Sequence, residues 1–108
     1  MNKRNQRAIW YGTVYLLHFS EPFYHAQHYV GFTATHNAEA RLSEHLDGLG
    51  SPLVRAVASR GIVVVVAREW GNQTRDFERR LKQAKNTRRF CPKCRNSDHA
   101  RQPRLIVP

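Results

Sequence analysis

Acidic residues and cysteines are both scarce in this chain. Eight Asp and Glu stand against eighteen Lys and Arg, a formal net charge of +10. Two cysteines are too few for the disulfide framework of a small secreted domain. Long apolar runs are missing as well: none reaches the roughly eighteen residues of a membrane span. The charged opening MNKRNQRAIW leads into no apolar signal-peptide core. These absences set the expectation of a cytoplasmic or nucleoid-associated protein with no membrane partner.

What is present suits a single small domain. The chain has 108 residues, and 41% of them are apolar, enough to bury a modest core. The cations are unevenly spread. Ten of the eighteen lie between Arg79 and Arg104, and Asp98 is the one acid after Glu78. A one-sided basic surface is the footprint of a polyanion binder, with nucleic acid the leading partner. The plainer alternative is a solvated basic tail that aids solubility.

Periodicity then orders the chain. Thr13 to Phe19 is rich in β-branched and aromatic residues and is expected to be a strand, as is His28 to Thr33. Ser20 to Gln27, which holds Pro22, is expected to be the loop between them. Asn37 suits the N-cap of a helix over AEARLSEHL, with Leu42 and Leu46 as its apolar side. Ser51 and Pro52 suit the cap and first position of a second helix, with Leu53, Val54 and Val57 inward and Gly61 closing it. The valine run from Ile62 to Trp70 predicts a strand buried on both faces. GNQT is expected to turn, with Thr74 capping a third helix to Asn86 whose apolar face is Phe77, Leu81 and Ala84. The order β-β-α-α-β-α predicts an α+β domain, a three-stranded mainly antiparallel sheet flanked by helices. Its expected extent is residues 11–90, after a polar lead-in at 1–10 and before a basic tail with a CPKC turn at 91–108.

Several polar residues share elements with this core. Tyr15 and Tyr29 lie on the two adjacent strands. Arg41 and His45, four apart, share a face of the first helix, and Glu44 is placed to pair with Arg41. Glu78 borders the apolar stripe of the third helix, where an i,i+4 ion pair with Lys82 is its plainer role. Each alone suits packing or a solvated surface. Together they supply what phosphodiester cleavage needs: a group to activate water, a cation for the phosphate and a carboxylate for a metal.

The series TVYLL, HYVGFT, EARLSEH and DFERRL, spanning about Gly12 to Asn86, resembles the GIY-YIG nuclease superfamily. TVY stands for the first named element, with Thr13 and Val14 replacing its glycine and isoleucine, and YVG for the second. The resemblance implies a GIY-YIG-like fold and a divalent-metal-dependent endonuclease acting on DNA, double-stranded or branched. It implies that Tyr29 activates water with Tyr15 near it, that Arg41 holds the phosphate, and that His45 assists proton transfer or positions the second tyrosine. Glu78 would bind one Mg²⁺ or Mn²⁺. Gly31, Thr33, Asn86, Arg88 and Arg89 would contact substrate or let the backbone approach it. A free phenol titrates near ~10 and is a weak base at neutral pH, so a nearby cation is needed to favour the phenolate. With no separate DNA-binding domain, specificity falls to the basic tail or a protein partner.

FCPKCRNSDHA holds Cys91, Cys94 and His99, half of a zinc knuckle. Four ligands are needed, so another histidine, His25 and His28 among the candidates, would have to complete the set. A turn that packs the tail onto the domain is the alternative. Two further function classes remain open: a non-catalytic nucleic-acid-binding module of the same fold, and a zinc-stabilised adaptor built around CPKC.

Overall fold

The structure, a computed structural model, describes residues 11–34, 37–84 and 87–95. The lead-in, Asn86 and His99 lie outside the described residues. Strands β1 (Gly12–Phe23) and β2 (Ala26–Thr33) are followed by helices α1 (Ala38–Leu46) and α2 (Pro52–Ser59). Strand β3 (Val64–Gln73), helix α3 (Arg75–Ala84) and the short α4 (Thr87–Phe90) complete the order. The protein is a small α+β domain whose three strands form one antiparallel sheet, β2-β1-β3, flanked by helices.

The central strand divides the core. Successive side chains of a strand point to opposite faces. On β1, Tyr15, Leu17 and Phe19 pack with Leu42 of α1 and with Val54 and Val57 of α2. Val14 and Leu16 face the other way, onto Val30, Phe32, Leu81, Cys91 and Cys94. Burial on both faces, expected of the valine run, belongs instead to β1. β3 pairs on one edge only and its residues are half-buried or exposed.

Other expectations also shift. Ser20 to Gln27 is not a loop: β1 and β2 continue through it and reverse at Tyr24 and His25, with Tyr24 in the left-handed region at φ 57°. Pro22 is accommodated because the β1–β3 pairing stops at Phe19 and Val64, short of it. β3 starts at Val64 rather than Ile62 and runs through the expected GNQT turn to Gln73. The caps fall where the residues suggest. Asn37 Oδ1 accepts from the Ala40 amide at 3.0 Å, Ser51 Oγ from Val54 at 3.2 Å and Thr74 Oγ1 from Phe77 at 3.4 Å.

Two helix faces rotate from their expected positions. Leu46 is 45% exposed, and His45, at 1%, takes the inward place beside Leu42 and Ala38. Positions 38, 42 and 45 follow i, i+4, i+7, and the ring of His45 finds partners inside that offset its burial. On α3, Ala84 is exposed and Glu78 is buried with Leu81. Leu42→Ala should therefore cost about 2–5 kcal/mol in chemical denaturation. Leu46→Ala should change stability by no more than about 0.5 kcal/mol. Equal losses would refute the inward placement of His45.

Candidate functional site

Tyr15 and Tyr29 lie on the same face of the sheet, because Leu17 of β1 is paired with Tyr29 and Tyr15 with Gly31. Their ring centroids are 6.4 Å apart. Gly31 is needed here: a Cβ at that position would collide with the ring of Tyr15. The close approach it permits is to Tyr15, and Thr33 lies further along at the mouth of a neighbouring cleft. Tyr15 is 1% exposed, whereas Tyr29 is half-buried and reaches solvent.

α1 brings two residues to these rings. His45 Nε2 is 2.7 Å from the Tyr15 hydroxyl, and its ring meets that of Tyr29 edge-on at 5.4 Å. The other nitrogen, Nδ1, is 2.7 Å from the amide of Ser51, which can only donate. A neutral imidazole accepting at Nδ1 carries its proton on Nε2, so His45 donates to the Tyr15 oxygen. It thereby fixes the phenol and cannot deprotonate it. Gly50 makes room for this ring, since a Cβ there would strike His45 Nδ1. Burial, then the Arg41 charge, holds His45 below its ordinary value and keeps it neutral. Burial, reinforced by Tyr29, pushes Tyr15 up to about 12, with Arg41 pulling the other way. Tyr15 is thus a poor base, and Tyr29 is the tyrosine open to a reactant.

Arg41 pairs with Glu44 at 2.6 Å, as its spacing suggests. It also lines a cleft of about 560 Å³ together with Thr33, Asn37 and Arg75. Arg75 links that cleft to α3, where its guanidinium is 3.6 Å from Glu78. The second Glu78 oxygen is 3.1 Å from Lys82, whose ammonium lies 5.6 Å from the Tyr29 ring centroid. The Glu78 charge also acts on the Tyr15 phenol. Tyr15, Tyr29, Arg41 and His45 therefore cluster together, Glu78 adjoins them through Lys82 and Arg75, and of these five Arg41 alone lines the cleft. Arg75 and Lys82 join them; sequence reasoning missed Arg75, although its position three before Glu78 on a helix was the available signal.

Arg88 and Arg89 of α4 are exposed, and Arg88 acts electrostatically on His18 and His28. These two histidines form a cross-strand pair on the opposite sheet face from Tyr15. Cys91 and Cys94 lie buried against them and carry no disulfide bond. The ligand atoms of His18, His28, Cys91 and Cys94 all fall within 4.8 Å of one another, a cluster that could hold a metal ion. His28 was among the expected ligands, but His18 was passed over, and His25 stands exposed in the hairpin turn. Burial, then neighbouring positive charge, lowers both histidines, His28 to about 4, so both rings are neutral near pH 7.

Two measurements check the tyrosine side of this geometry. Gly31→Ala should lower stability by about 1–3 kcal/mol through overpacking, while Gly71→Ala, with open space around it, should not. The pH dependence follows from the shifts. For His45 the folded state binds fewer protons than the unfolded state, so stability is complete above the unfolded value of about 6.5 and falls as pH drops below it. Tyr15 acts at the other end: its contribution is complete below pH ~10 and is lost as pH rises toward about 12. Denaturation across pH should show a shallower acid-side slope for His45→Gln and a shallower alkaline slope for Tyr15→Phe. Unchanged slopes would refute the buried pair.

Comparison with protein-family models, with curated proteins and with solved structures gave no match, so any functional reading of this site rests on its own residues.

Proposed function

We propose that the protein is a divalent-metal-dependent endonuclease of GIY-YIG type, hydrolysing phosphodiester bonds in DNA. The observation that carries the reading is the 2.7 Å contact between Tyr15 and His45, with the Tyr29 ring beside both, Arg41 hydrogen-bonded to the Tyr15 phenol, and Glu78 held next to Tyr29 by Lys82. A packing tyrosine needs no buried histidine held at both nitrogens. Such a polar network suits a group whose orientation matters.

The roles follow from exposure. Arg41 and Arg75 line a cleft open to solvent and receive the phosphate as charge-assisted donors. Tyr29, the accessible tyrosine, acts as the phenolate and takes a proton from the water that attacks phosphorus, becoming the neutral phenol. His45 holds Tyr15, and Tyr15 with Gly31 sets the floor on which Tyr29 stands. Glu78 is the carboxylate for the ion. Mg²⁺ and Mn²⁺ accept a single protein carboxylate when phosphate oxygens and waters complete their shell. Its present partners, Arg75 and Lys82, are 67% and 47% exposed, and such ion pairs are weak enough to exchange. The residues therefore fit the ion. When bound, it neutralises charge on the phosphate and the leaving oxygen and acidifies its water.

A non-catalytic nucleic-acid-binding module is the second reading, favoured by one fact: both Glu78 oxygens already have cationic partners. Incubation with supercoiled plasmid separates the two. The nuclease reading expects nicking that needs Mg²⁺ or Mn²⁺ and falls about a hundredfold or more in Glu78→Ala and in Tyr29→Phe. Lys82→Met should lower the metal concentration needed for half-maximal rate, because it removes a competitor for the carboxylate. Equal nicking by wild type and Glu78→Ala would point to a contaminant. Salt-sensitive binding without cleavage would establish the second reading instead.

A further inference from the structure

The histidine and cysteine cluster lies on the other sheet face from the tyrosines, and the nuclease reading makes no use of it. We propose that His18, His28, Cys91 and Cys94 form a closed tetrahedral zinc centre that staples the basic C-terminal segment to the β1–β2 hairpin. The site stands independently of any cleavage activity.

The donor set comes first. Two thiolates and two imidazoles are a zinc set, and four protein ligands leave no coordination position for a reactant, so the role is structural. Geometry agrees. A tetrahedral ion with Zn–S near about 2.3 Å and Zn–N near about 2.05 Å separates sulfur from nitrogen by about 3.6 Å. Cys91 Sγ is 3.4 Å and Cys94 Sγ 3.7 Å from His18 Nδ1, and Cys94 Sγ is 3.3 Å from His28 Nε2. These are three of the six edges of a coordination tetrahedron, each within about 0.3 Å of that size, and the remaining pairs also lie within 4.8 Å.

The surroundings support the same assignment. His18 and His28 face each other directly in the strand register, so the hairpin presents two imidazoles at a fixed spacing. The two cysteines come from a C-x₂-C segment far beyond them in sequence, Cys94 lying 66 residues after His28. The second nitrogen of His28 lies 3.3 Å from the Thr87 hydroxyl. A proton on Nδ1 donated to Thr87 leaves the Nε2 lone pair aimed at the cluster, the outer-shell arrangement usual for a metal-bound imidazole. Cys91 and Cys94 are 0% and 3% exposed, and they border Val14, Leu16 and Leu81 rather than solvent. As plain core thiols they would fill this space without needing two imidazoles. The ion gives both pairs a common partner and fixes α4, with Arg88 and Arg89, against the sheet.

The test uses the full chain, purified without chelator. Elemental analysis should find one zinc per chain. Replacement by Co²⁺ should give the intense visible bands of a tetrahedral thiolate site. Chelator should lower the melting temperature and expose both thiols to alkylation, and zinc should reverse both effects. Cys94→Ser and His28→Ala should abolish the Co²⁺ bands. Thr87→Ala should weaken zinc binding about 10–100-fold, and His25→Ala should leave it unchanged. Substoichiometric zinc together with six-coordinate Co²⁺ bands, or a Cys91–Cys94 disulfide in the purified chain, would overturn the proposal. So would wild-type zinc affinity in His18→Ala. The wild-type measurements decide the matter even if a ligand variant does not fold. Plasmid cleavage plays no part in them, so the zinc centre and the nuclease reading stand or fall separately.

Discussion

Burial of β1 on both faces is the constraint from which the rest of the structure follows. A strand covered on one face buries only every second side chain. β1 is covered twice, by α1 and α2 on one side and by α3 and the Cys91–Cys94 turn on the other. Its pleat therefore sends Tyr15 into one polar cluster and His18 into another, three residues apart. A one-residue slip of register would exchange the two sets of side chains and destroy both clusters. The apolar neighbours Val14, Leu16, Leu17 and Phe19, each 0% exposed, fix the register firmly.

Within the tyrosine cluster the determining contact is made by a backbone amide. The Ser51 N–H starts α2, where its own side chain caps the helix, and it also assigns the proton of His45. The cap, the glycine before it and the tautomer are one device. α1 and α2 must meet at Asp47 to Ser51 for a histidine to be buried at two hydrogen bonds' benefit. No buried side-chain polar atom among the described residues lacks a partner, and His45, bonded at both ring nitrogens, occupies the inward place that the i,i+4 leucine spacing assigned to Leu46.

Much of this was legible from the residues, and the failures have identifiable causes. Element order and the caps at Asn37, Ser51 and Thr74 were readable because capping is local chemistry. The hairpin turn was not, because Phe23-Tyr24-His25-Ala26 lacks the glycine or asparagine that marks a two-residue reversal. That single omission hid His18: once the strands are known to run to the turn, His18 and His28 fall opposite each other. The valine run misled about burial because hydrophobicity alone does not say which strand is central. Leu46 misled because an i,i+4 leucine pair fits a helix stripe as well as the true stripe through Ala38, Leu42 and His45. Glu78 and Lys82 sat at a spacing that predicted their ion pair, and the pair is present at 3.1 Å. Arg75 and Glu78 also stood at a helical spacing, whereas the cleft that Arg41 and Arg75 share is tertiary and left no trace in spacing.

The charge around Glu78 gives the tyrosine site an order of events on the nuclease reading. Arg75 and Lys82 hold the two oxygens of Glu78, and Arg41, paired with Glu44, shares the adjoining cleft with Arg75, so cations outnumber carboxylates there and the local field favours an anion over a free cation. A divalent ion approaching the protein alone meets that repulsion, and it must also displace Lys82. A phosphate reverses both conditions. Its charge draws the guanidinium of Arg75 and the ammonium of Lys82 toward the cleft, and its oxygens supply ligands that the protein lacks. On this reading ion and substrate would bind with positive coupling, each raising the affinity of the other by the same factor. A carboxylate kept paired until the phosphate arrives would leave the protein without a loaded metal site in the absence of nucleic acid. On this reading, the two ion pairs that look like an obstacle to metal binding are what make it depend on substrate.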